Sequence, residues 1–160
     1  MATFAELARM KPEDLPTVKL MPIGFYIWQT IGVPEVKSSA KGDGSLINFK
    51  CKCIRPSDDM NPADLEEFGN PAGQVRTLMF YVPDYPKADE EEAAFNNRQA
   101  AAMQQLSRFM THDLGLEPDQ PMAQISISAG YMFMGQIIHE LDKRDNETWR
   151  ERFGSTAPFE

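Results

Sequence analysis

Two stretches early in the chain alternate with a period of two, the spacing that sends successive side chains to opposite faces of a strand. Gly24 to Ile31, GFYIWQTI, sets Phe25 and Ile27 on one face, expected in the core, and Tyr26 and Trp28 on the other. Leu46 to Arg55 resumes the alternation, with Ile47, Phe49, Cys51 and Cys53 inward and Asn48, Lys50 and Lys52 outward. The glycines and small polar residues of SSAKGDGS, Ser38 to Ser45, join the two as a hairpin. Val75 to Val82 reads as a third strand closed by Pro83 and Pro86. The period then changes to that of a helix. From about Asp89 to Leu114, acids fill the first turn and Phe95, Ala102, Leu106, Phe109 and Met110 form one stripe, with Gly115 as the stop. Tyr131 to Leu141 returns to period two, placing Tyr131, Phe133, Ile137 and His139 on one face and Met132, Met134 and Ile138 on the other. After the polar turn DKRDNET, Trp149 to Phe153 alternates again, with Trp149 and Phe153 expected inside and Arg150 and Arg152 outside.

The remaining segments are weaker in pattern. Phe4 to Met10 suits a short peripheral helix ended by Pro12 and Pro16, and Pro56 to Gly73 reads as a solvated loop with a helical turn at Ala63 to Phe68. Pro121 to Ala129 fits a short helix or a strand equally, and GSTAPFE reads as a loose tail. The expected organisation is a peripheral helix over residues 1–16, one domain over 17–153 and a short tail over 154–160. Three strands, a helix and two strands predict a mainly β fold with one long helix: a five-stranded OB-type barrel, the helix lying between strands three and four.

The distribution of charge is more informative than the composition. The 160 residues are 42% hydrophobic and 25% charged, ordinary for one globular domain, with a formal net charge of -8. Yet Thr17 to Pro56 carries Lys19, Lys37, Lys41, Lys50, Lys52 and Arg55 against Glu35 and Asp43, a local net of +4. Ser57 to Glu92, by contrast, is net -8, so a basic patch is expected beside acidic loops. No apolar run reaches the roughly 18 residues that span a bilayer. The first residues lack the pattern of a secretory signal, so the expected location is cytoplasmic, without membrane contact.

Candidate chemistry is sparse. Cys51 and Cys53 are too close along one strand to bridge easily and read as core thiols. His112 and His139 lack metal-ligand spacing, and no dinucleotide, phosphate-loop or zinc-protease motif occurs. The glycines of AKGDGS open no helix, so a hairpin turn is favoured over a phosphate cradle. In THD and HELD a histidine neighbours a carboxylate without a third partner. No catalytic residue, cofactor or metal is therefore expected.

Binding of unpaired nucleic acid needs cations to follow phosphates and rings on which bases stack. Lys50 and Lys52 on one strand face, Lys37 and Lys41 flanking the turn, and Tyr26 and Trp28 opposite the expected core residues supply both. Arg76, Arg150 and Arg152 would extend the cationic track on a curved sheet. Phe80, Tyr131 and Phe133 are weaker stacking candidates, and His139 reads as a hydrogen-bonded strand residue. The rival reading is an acidic protein-interaction or inhibitory module that meets a basic protein partner; a small enzyme with a dispersed site ranks last.

LPTVKLMPIGFYIWQTIGVPEVKSSAKGDGSLINFKCKC resembles the opening hairpin of bacteriophage single-stranded-DNA-binding proteins of the OB type, with their Gly-x-Tyr strand, Val-Lys-x-Ser-x-Lys-Gly turn and Asn-Phe strand. GYMFMGQIIHELDKRDNETWRERF is similar to their closing hairpin. Together the two segments cover under half of the chain. The resemblance implies a non-enzymatic protein that coats single strands in phage DNA replication or recombination, in the host cytoplasm. It also implies contacts to replication or recombination proteins, leaves homo-oligomerisation open, and points to Tyr26, Trp28, Lys37 and Lys41, then Arg150 and Arg152, as binding residues.

Overall fold

A computed structural model describes residues 3–14, 19–117, 130–144 and 146–159. Six strands, β1 (Gly24–Thr30), β2 (Glu35–Ser38), β3 (Gly44–Pro56), β4 (Val75–Pro83), β5 (Met132–Leu141) and β6 (Trp149–Pro158), form one antiparallel sheet. Two short helices, α1 (Phe4–Leu7) and α2 (Pro62–Phe68), precede the long α3 (Glu92–Arg108), which ends in a wider π-helical turn over Phe109–Asp113. The mainly β architecture with one long helix between β4 and β5 agrees with the alternation and the helical stripe. The ambiguous stretch 121–129 lies outside the described residues. No helix among them is long and apolar enough to cross a membrane.

The sheet is ordered β2-β3-β1-β5-β6, with β4 on the other edge of β3. β3 is long enough to serve three partners: residues 45–48 pair with β2, 44–52 with β4 and 51–56 with β1. A closed five-stranded barrel was expected. Instead the described residues form six strands, because Glu35–Ser38 forms its own short ladder beside the hairpin turn, and no ladder among them joins β4 to β6. Side chains span that opening. Arg76 of β4 is ion-paired to Glu151 of β6, and Thr156 Oγ1 of β6 donates to Asp113 Oδ2 at 2.5 Å, anchoring the end of the helical segment to the sheet.

The core lies between the concave sheet face and α3. Ile47, Phe49, Cys51 and Cys53 point into it as their alternation requires, joined by Leu78 and Val82 of β4, Phe133 and Ile137 of β5, and Leu106, Phe109 and Met110. Phe109 meets Phe49, Phe80 and Phe133 with ring centroids 5.0, 5.3 and 5.0 Å away, so the helix end seats on an aromatic floor.

β1 reverses the expected sides. Tyr26 and Trp28 are fully buried in the core, whereas Phe25 is half-buried on the other face. The register explains it: Trp28 pairs with Cys53 and Thr30 with Cys51, which puts the even positions of β1 on the cysteine side, with a bulge between Ile27 and Trp28. Ile27 is also buried, so both faces of the strand are covered and alternation alone had no polar side to orient it. The polar tips are satisfied inside: Trp28 Nε1 donates to Gly135 O at 3.1 Å and Tyr26 Oη to Pro22 O at 2.7 Å.

Two further differences concern the chain ends. β6 does not stop at Phe153 but runs through Pro158, pairing Thr156 with Gly135 and Pro158 with Phe133, so residues 154–158 belong to the sheet. Trp149, expected inside, is 58% exposed because it lies beyond the core at the end of the β5–β6 hairpin, opposite exposed Leu141.

Candidate nucleic-acid interface

Cross-strand partners project to the same side of a sheet, so the register of β2, β3 and β4 fixes what their outer face displays. Leu46 stands between Lys37 and Tyr81, Asn48 between Glu35 and Met79, Lys50 opposite Thr77, and Lys52 opposite Val75. Lys37, Lys50 and Lys52 are exposed on this face, and Lys41 is exposed at the tip of the β2–β3 turn. None of the four makes an ion pair among the described residues. A groove of about 470 Å³ runs across the face, lined by Lys37, Asn48, Lys50 and Thr77 on the strands and by Ile31 and Val33 where β1 leads into β2. Glu35 is the one acid among its described lining residues. The Asn48 Oδ1 is buried beneath it with no hydrogen-bond partner.

The turn that carries Lys41 is built from local hydrogen bonds. Gly42 takes the left-handed φ of 71°. Ser39 Oγ donates to Asp43 Oδ1 at 2.7 Å and accepts from the Asp43 and Gly44 amides, which holds the Asp43 carboxyl below its ordinary range. Asp43 O in turn accepts from the amides of Asp84 and Tyr85, tying the turn to the end of β4. The Tyr81 ring lies over Gly44, and its hydroxyl sits beside both Asp43 and Arg98; desolvation and then the Asp43 carboxylate raise its pKa, with Arg98 opposing. Arg98 is fixed by two hydrogen bonds to Glu90, at 2.9 and 3.0 Å. Tyr81 is 37% exposed and Tyr85 is exposed further along.

The residues expected at the site therefore divide. Lys37, Lys50 and Lys52 gather on one face with Lys41 at its end. Tyr26 and Trp28 do not join them: sealed in the core, neither ring can receive a base. The arginines are less available than the lysines, because folding gives each a carboxylate neighbour. Arg76 is held by Glu151, and Arg150 and Arg152 share Glu140 across the β5–β6 hairpin. Phe80 and Phe133 serve the core, while Tyr131 is half-buried against it. Among the described residues the ring that shares the lysine face is that of Tyr81, which pairs with Leu46 beside Lys37. A signal for Tyr81 was present: with Leu78, Phe80 and Val82 filling the core, alternation sends Val75, Thr77, Met79 and Tyr81 outward.

Groups with catalytic potential are otherwise engaged. Burial pushes the Cys51 and Cys53 thiols up to about 12, leaving them protonated and inert, and both are free of disulfide. His139 Nε2 contacts Met21 O at 2.7 Å, in line with a hydrogen-bonded strand residue. His112 Nδ1 meets buried Asp113 at 2.9 Å, but Asp113's other oxygen is occupied by Thr156. Among the described residues, no three His, Cys, Asp or Glu side chains gather to hold a metal ion. No protein-family model matches this chain, and no curated protein matches it either.

Proposed function

We propose that this chain is a single-stranded-DNA-binding protein that acts by phosphate neutralisation and base stacking, without a catalytic step. The observation that carries the proposal is the outer face of β2, β3 and β4, where Lys37, Lys50 and Lys52 form no ion pair among the described residues and share one side with Tyr81. Ammonium groups in a groove give salt-dependent attraction to a strand backbone, and a ring on the same sheet face accepts a base face of any sequence. Overall charge of -8 weakens long-range attraction, while a local cationic groove acts within about a Debye length of 8–10 Å.

The connectivity supports an OB-type reading. β1 pairs with β3 and β5, β3 with β4, and β5 with β6, with the helix between β4 and β5. These pairings are compatible with an OB-type order if β2 is read as an added arm, with the Arg76–Glu151 ion pair across the unpaired seam. A role in phage DNA replication or recombination rests on the sequence resemblance of the two hairpins.

The test is fluorescence anisotropy of a labelled oligothymidine across a salt series, with a duplex of equal length as competitor. The unpaired oligomer should bind at low salt, weaken as salt rises and outcompete the duplex. Replacing Lys37, Lys50 and Lys52 by Gln should flatten the logarithmic salt slope by about 0.7 per lysine removed. Absence of binding to the unpaired oligomer at low salt would overturn the proposal.

A further inference from the structure

A second groove, of about 430 Å³, lies at the opposite end of β1, between the segment leading into that strand and α2. Leu20, Ile23 and Phe68 give it an apolar lining, and Ile23 is 58% exposed. Asp64 and Glu67, three apart on α2, also line it, and helical spacing puts their carboxylates on one side, about 5–6 Å apart at the Cβ atoms. Neither makes an ion pair or side-chain hydrogen bond among the described residues. Among the described lining residues Lys19 is the one ammonium group, and His139 also lines the groove with its Nε2 against Met21 O.

We infer that this groove docks a basic amphipathic segment of a partner protein, one that sets apolar side chains on Leu20, Ile23 and Phe68 and a lysine or arginine against Asp64 and Glu67. Charge selects this occupant. An acidic segment or a nucleic-acid strand would meet two carboxylates against the single Lys19 ammonium, whereas a cation gains both carboxylates and shields the apolar contact from water. From Ile23 to Ile31 the strand spans about 25 Å, so a partner here leaves the lysine groove open. The inference stands independently of the single-strand reading.

The test uses the full chain and two labelled helical peptides of 18 residues, one of leucine and lysine, the other with glutamate in place of lysine, followed by anisotropy. The lysine peptide should bind and the glutamate peptide should not. Asp64→Asn with Glu67→Gln should weaken binding about tenfold, and Ile23→Ser should weaken it separately. Asp89→Asn with Glu91→Gln, an equal change of charge elsewhere, should leave it within about twofold. Equal weakening by the two double variants would reduce the effect to general attraction and overturn the inference, as would no binding of the lysine peptide. Oligothymidine binding should be unchanged in Asp64→Asn/Glu67→Gln, which separates failure of this inference from failure of the single-strand reading.

Discussion

The Tyr81 ring covers Gly44 so closely that a Cβ on Gly44 would lie 2.5 Å from its Cε2 and 2.6 Å from the Val82 carbonyl oxygen. The ring tip could swing aside, but the backbone carbonyl could not. Gly44→Ala should therefore cost about 1–3 kcal/mol of stability and displace the ring from the lysine face, as urea unfolding and oligothymidine anisotropy would register. Tyr81→Ala should cost about 1–3 kcal/mol of binding, and Tyr81→Phe much less, since the stacking surface remains. Unchanged binding in Tyr81→Ala would move the stacking role to another ring.

The two tryptophans should report different environments. With Trp149→Phe, the remaining Trp28 should emit at short wavelength, resist iodide quenching and stay unchanged when oligothymidine is added, because its indole is enclosed and bonded to Gly135. With Trp28→Phe, Trp149 should be readily quenched by iodide. That second variant also leaves the Gly135 carbonyl without its indole donor, at a cost of about 1–3 kcal/mol. Iodide access to Trp28 in the folded protein would contradict the buried placement.

Thiol chemistry follows from the concave side of β3. Cys51 and Cys53, buried and with thiols pushed up to about 12, should not react with a disulfide reagent at pH 8 while the protein is folded. Both should react once it is unfolded in guanidinium. Rapid labelling of either without denaturant would mean that this face of the sheet opens on that timescale.

Acid should weaken the support beneath Tyr81. The Arg98 guanidinium, with help from the Lys87 amide, holds the Glu90 carboxyl down to about 2 from an ordinary 4.5. A depressed carboxylate contributes stability above its unfolded value, and that contribution is lost as pH falls from about 4.5 through about 2. The difference in Tm between the native chain and Glu90→Gln should thus be largest above pH 5 and shrink toward pH 2. A difference independent of pH would show that the ion pair does not set it.

Legibility tracked how asymmetric each segment was. β3 was readable because Ile47, Phe49, Cys51 and Cys53 alternate with Asn48, Lys50 and Lys52, leaving one way to face water. The stripe on α3 likewise announced Leu106, Phe109 and Met110 as core. β1 was not readable, since aromatic and aliphatic residues occupy both faces and only the pairing of Trp28 with Cys53 chose between them. The four-residue β2 and the small residues of GSTAP carry too little pattern to announce a strand, and the ladders with β3 and β5 create them.

The amino-acid order was enough for the alternation of β3, the long helix, the inward thiols and the local concentration of lysines, because these depend on neighbours along the chain. Folding alone decided which charges remain available. Arg76 meets Glu151 only when β4 and β6 approach, and Arg150 and Arg152 meet Glu140 only when the β5–β6 hairpin pairs, while Lys37, Lys50 and Lys52 form no ion pair among the described residues. The same alignment enclosed Trp28 and left Tyr81 at the surface, since burial on a sheet depends on which face the other strands and the helix cover.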